Sequence, residues 1–180
     1  MCSASKTSRR EKHWRRAVAT LVAAVWTLGA AARAHGMPIP FMYAGIPVIS
    51  DPTISMSGLS QPFWGWAGGP PSIRINPDHW AIMPEGTQQF LLDHERGHWA
   101  LSHSARRAAS LPLAQKEWDA DTFAARAMMR SGQRLLLEQH VRWLRWMAVT
   151  APPPLPPYAA WQVQADHVLA VAAEFAPARK

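Results

Sequence analysis

The chain changes character at Pro84-Glu85-Gly86-Thr87, and that change constrains its fold more than any other feature of the 180 residues. Before it, residues 35–86 are rich in Pro, Gly and Ser, with short apolar pieces such as Ile46-Pro47-Val48-Ile49 and Thr53-Ile54-Ser55-Met56 between turn signals. Such pieces suit short strands and loops. After it, apolar residues recur at spacings of three and four, the period of helices packed on one side. Strands followed by helices imply an α+β fold with the two kinds of element segregated along the chain. Ile73-Arg74-Ile75-Asn76 alternates apolar and polar side chains and stops at Pro77, which predicts an exposed edge strand.

Thr87 is placed to cap a first helix running from Gln88 to about Ala109, with Leu91, His94, His98, Leu101 and Ala105 along one face. A second helix is predicted from Ala114 to Arg130, ending at Ser131-Gly132. A third, from Gln133 to Val149, carries the stripe Leu136, His140, Trp143, Leu144 and Met147. Pro152-Pro153-Pro154-Leu155-Pro156-Pro157 can only be a stiff extended connector, and a last helix follows from Tyr158 to Phe175. The expected organisation is residues 35–150 as one domain, 151–157 as a connector and 158–180 as a C-terminal helical segment.

The formal charge of +7 invites a nucleic-acid reading, but it is unevenly placed. Residues 1–34 hold seven Lys and Arg against Glu11 alone, so the rest of the chain is close to neutral, too little for a phosphate-binding surface. The basic stretch runs into the uncharged segment Ala17–Ala32, which is short for a membrane span and has the make-up of a signal peptide. Small residues at Ala32 and Ala34 predict cleavage before His35, and hence export to a periplasm or to the medium. Contact with a membrane is expected only if the segment stays attached. The single cysteine, Cys2, lies in the segment expected to be removed, so the mature chain has neither a disulfide nor a thiolate metal ligand.

The segment that carries chemistry is His94-Glu95-Arg96-Gly97-His98. Two histidines four apart on a helix stack one turn above the other, so both imidazoles can reach one ion. Glu95 then lies beside the pair, where it can take a proton from a water at the metal. A catalytic zinc requires a third protein ligand, and Glu117, nineteen positions after His98 on the next helix, can face the histidines if the two helices run antiparallel. Asp121, one turn further on, is placed to accept the other ring N–H of a ligating histidine.

The two segments together resemble the gluzincin branch of the zincin metallopeptidases. The nearest resemblance is to the family of the CAAX-prenyl and heat-shock-associated endopeptidases, whose third ligand lies in a Glu-x-x-Ala-Asp-x-x-Ala segment. Here that segment reads Glu117-Trp118-Asp119-Ala120-Asp121-Thr122-Phe123-Ala124. The resemblance covers roughly residues 73–130. It implies a zincin-like fold, Zn2+ held by His94, His98 and Glu117, Glu95 as the catalytic base and Asp121 as a supporting residue. A third histidine ten positions after the first, which another zincin branch requires, is missing: position 104 is Ser, with His103 one residue away. For a residue that stabilises the transition state, His140, Tyr158 and His167 are the options. The expected function is that of an exported zinc metallopeptidase acting on peptides or proteins, with extended substrate laid along Ile73, Arg74 and Ile75. The alternative is a zinc-stabilised binding or chaperone-like protein of the cell envelope.

Overall fold

The computed structural model describes residues 40–54, 71–103, 110–154, 156 and 158–176, and the backbone of 60–63. Four strands come first: β1 (Phe41–Tyr43), β2 (Ile46–Ser50), β3 (Ser60–Phe63) and β4 (Ser72–Ile75). Five helices follow: α1 (Pro77–Trp80), α2 (Glu85–Ala100), α3 (Leu113–Arg130), α4 (Arg134–Thr150) and α5 (Trp161–Ala173). The fold is α+β, with the strands ahead of the helices. The segment expected to be a signal peptide, residues 55–59, residues 64–70 and residues 104–109 lie outside the described residues. No helix among the described residues is long and apolar enough to cross a membrane.

The sheet has the order β1-β2-β4-β3. β1 and β2 form a hairpin over Ala44 and Gly45, both at positive φ (48° and 81°), the backbone that a two-residue turn needs to match the strand twist. β4 pairs parallel to β2 and antiparallel to β3. The segment Ile73–Asn76 is therefore an interior strand, not the exposed edge that its pattern predicted. Alternation shows that one face is apolar; it does not show whether a strand has one neighbour or two. Ile73 and Ile75 are fully buried, while Arg74 reaches Asp51 at 3.1 Å on the other face. Pro77 ends the strand for its own reason: it opens α1, which Asn76 caps by accepting from the N–H groups of Asp78 and His79. Thr53 and Ile54 belong to a turn after β2 rather than to a strand.

α2 is enclosed from several sides, and ten of its sixteen residues are buried. Leu92 joins the sheet-side core of Val48, Ile73, Ile75 and Trp80, whereas Phe90 joins the helical core. Its first turn fits against α4 because residue 86 is glycine: a Cβ there would lie 2.0 Å from the carbonyl oxygen of Leu136. Thr87 does not cap this helix. It lies inside the first turn, fully buried, and α2 starts after Pro84 with no side-chain cap of its own. The side chain of Gln139, on α4, accepts instead from the N–H of Gly86 at 2.6 Å. Ala100 ends the helix nine residues short of the predicted Ala109, because Ser102 adopts a left-handed φ of 55° and turns the chain back.

α3, α4 and α5 share one core built from Ala124, Ala125, Met128, Leu137, Val141, Leu144, Ala165, Val168 and Val171. The buried stripe of α4 is Leu137, His140, Val141 and Leu144, shifted by one residue from part of the predicted stripe. α5 is built into the same body, since the chain from Met37 onward forms a single compact unit. The indole N–H of Trp161 donates to the carbonyl of Pro152 at 2.9 Å, which ties the start of α5 to the start of the proline-rich connector.

Candidate metal centre

The site lies where α2 crosses α3, and small residues decide how close that crossing is. A Cβ on Gly97 would come within 3.2 Å of the Phe123 side chain and 3.3 Å of the Cα of Ala120. Gly97 and Ala120 thus let the two backbones approach until a glutamate on one can reach histidines on the other. Arg96 stands over the ring of Phe123 at 5.5 Å and bonds Asp93 at 3.2 Å, so the intervening positions of the motif pack the helices together.

His94, Glu95 and His98 are buried, and Glu117 and Asp121 are mostly covered. The Nε2 atoms of His94 and His98 are 3.1 Å apart. Glu117 Oε2 lies 3.2 Å from the first and 3.7 Å from the second. Three atoms at these separations share a point, just off their own plane, at about 2 Å from each, the length of a zinc–nitrogen or zinc–carboxylate bond. His94, His98 and Glu117 can therefore hold a metal ion. Among the described residues these three are the donors that converge there, the number that a catalytic zinc takes from its protein.

The electrostatics suit a cation at that point. Burial works against charge on His94, yet hydrogen bonds with Asp121 and Glu117 overcome it and hold the pKa well above that of a free imidazole. Burial pushes the Glu117 carboxyl up, but the same bonds with His94 and His98 bring it down to about 2. A donor set that gathers negative charge around a positive centre favours a divalent ion.

Each histidine is also held from behind. Nδ1 of His94 is 2.8 Å from Asp121 Oδ1, so the proton placed between them leaves the Nε2 lone pair for the metal. Nδ1 of His98 is 2.8 Å from Nδ1 of His103. His103 is the residue sequence reasoning missed. No glycine marks the end of α2, so the helix reads on through position 103 and points that side chain elsewhere. The spacing of five from His98, placed across a helix end, was the available signal.

The three options for a further catalytic group separate clearly. His140 is buried, stacks on Phe90 with ring centres 3.9 Å apart, and has burial as the main reason its pKa falls to about 3. His167 stacks on Trp118 and meets the Thr122 hydroxyl at 2.9 Å, docking α5 on α3. Both are built into packing. Tyr158 lies just ahead of α5 and is exposed; its hydroxyl pKa is raised first by partial burial and then by the carboxylates of Glu117, Glu95 and Asp121, so of the three it is the one that feels the charge of the site without being built into packing. Ile73, Arg74 and Ile75 are not available as a substrate-binding edge, because β4 has a hydrogen-bonded strand on each side.

Comparison with known proteins gives no match to a family model, to a curated sequence or to a solved structure.

Proposed function

We propose that this chain is a zinc-dependent metallopeptidase of the gluzincin type, exported by its N-terminal segment. One observation carries the reading: among the described residues two imidazoles and a carboxylate converge on a single point, with the buried Glu95 next in the chain to one of them, the donor set of a catalytic zinc. A closed structural site would use four protein ligands, and usually cysteines.

When bound, zinc would supply Lewis acidity, polarising a peptide carbonyl and acidifying a water. The chain's own residues do the rest. Glu95, whose charge acts on both His94 and Tyr158, accepts the proton of the attacking water and returns it to the leaving amine. The Tyr158 hydroxyl donates to the oxygen that gains charge as the carbonyl is attacked. Asp121 holds the His94 ring in the tautomer that presents Nε2. Substrate binding moves from β4 to β3, the outer strand on the side of the sheet that packs against α2. An extended peptide would add to its edge by main-chain hydrogen bonds. Pro62 within β3 is consistent with an edge strand, where a missing N–H is tolerated.

The test is metal analysis of the purified chain together with digestion of a peptide library by wild type and Glu95→Gln. One zinc per chain is expected in both, with turnover reduced about 10²- to 10⁴-fold in the variant. Undiminished cleavage by metal-replete Glu95→Gln removes Glu95 from this role. Stoichiometric zinc that raises the melting temperature, with no peptide cut by wild type, supports the zinc-stabilised binding protein instead. An N-terminal mass on the same sample tests cleavage before His35.

A further inference from the structure

The end of α2 is unusual in the side chains it brings together. Leu101 closes the helix, Ser102 takes a left-handed φ of 55°, and two backbone bonds fold the chain back: Ser102 N–H to Trp99 C=O at 2.9 Å and His103 N–H to His98 C=O at 3.0 Å. This pair of bonds is the Schellman helix ending, in which glycine normally takes the left-handed position. The same ending usually packs two apolar side chains against each other, one from the last turn and one from the residue after the left-handed position. In this chain those two residues are His98 and His103. Their rings meet edge to face with centres 5.0 Å apart and their Nδ1 atoms at 2.8 Å. Both are buried. The Lys116 ammonium donates to the carbonyl of His103 at 3.2 Å, tying the turn to the residue before Glu117.

We infer that His103 is a positioning residue for the metal site, fixing the ring and tautomer of His98 through an Nδ1–H···Nδ1 hydrogen bond built on the helix ending. The inference rests on the zinc reading of the site. His98 Nε2 faces His94 Nε2 and Glu117 Oε2, so its lone pair has to be free for a metal. A neutral imidazole carries one N–H, which then sits on Nδ1 and points at His103. His103 accepts at Nδ1 and keeps its own proton on Nε2. A neutral acceptor orients the ligand without adding a further negative charge to a site that already gathers Glu95, Glu117 and Asp121.

The test uses the full chain with His103→Leu and His103→Asn, measuring zinc affinity by competition with a chromogenic chelator, the visible spectrum of the cobalt-loaded protein, and melting of the chelated form. His103→Leu is expected to weaken zinc binding about 10- to 100-fold and to change the cobalt spectrum. Melting of its chelated form should be unchanged or higher, since leucine restores the usual apolar contact. His103→Asn, whose amide oxygen takes the place of Nδ1, should stay within a few-fold of wild type. Wild-type affinity in His103→Leu, or equal losses in both variants, overturns the inference while leaving the metal site intact. A wild-type chain that binds no zinc overturns the metal reading and the inference together.

Discussion

The two ends of α2 are held in different ways. At its start the backbone of Gly86 lies directly on the carbonyl of Leu136, and one side-chain amide supplies the missing cap. Close backbone contact and that one cap lock the helix start to α4. At the other end, contact with α3 carries five polar side chains, His94, His98, His103, Glu117 and Asp121, linked by distances of 2.8 to 3.7 Å. Steric fit positions the helix, and polar pairing aims what it presents. The first end should therefore govern stability and the second metal affinity, with little crossover.

The largest effect that would sharpen this contrast is on the metal. Glu117→Ala removes one of three donors and is expected to cost about 4 kcal/mol of zinc binding, or about 1,000-fold, a third of the total for a structural zinc site. The unfolding free energy of the chelated protein should move by less, about 2 kcal/mol in a urea titration, because the covered carboxylate also loses its bonds with His94 and His98. A fall in chelated stability as large as the fall in affinity would break the distinction. Gly86→Ala is the converse. With a Cβ forced onto a backbone oxygen, a loss of about 3 kcal/mol in stability is expected, and the folded fraction should keep wild-type zinc affinity.

Smaller effects probe each end more finely. Asp121→Ala leaves the donors in place but frees the His94 ring, so affinity should drop about 10- to 100-fold with the zinc stoichiometry unchanged. An affinity equal to wild type would mean that packing alone orients His94. At the α4 side, burial holds the His140 pKa near 3, below its value in an unfolded chain. The folded state therefore binds fewer protons than the unfolded one once the pH drops below about 6.5. Stability from this group is complete above that pH and declines by about 1.4 kcal/mol per unit as the pH falls toward 3. His140→Phe, which keeps the stack on Phe90, should flatten the acid limb of urea midpoints measured in chelator by about that slope. An unchanged slope would show that His140 is protonated in the folded protein.

How much of this was open to sequence reasoning depends on how local each feature is. The pairing of His94 with His98 follows from helical geometry, because residues four apart share a face whatever surrounds them. Glu117 and Asp121 share a face of α3 for the same reason. The helix boundaries around 113–130 and 134–150 were legible because Pro112 and Ser131-Gly132 break the pattern locally. The change of character at residue 84 was enough to order strands before helices.

Only the tertiary structure decided the rest. Whether β4 lies at an edge or inside depends on which strands arrive beside it, and a period of two is blind to that. Gln139 rather than Thr87 caps α2 because α4, more than fifty residues away, covers its first turn. α2 stops at Ala100 because Ser102 turns left-handed while Lys116 grips the residue that follows, without the glycine that would have announced it. Local periodicity sets which side chains share a face, since it depends only on backbone geometry. Which faces meet, and how closely, is settled by contacts between residues far apart in the chain.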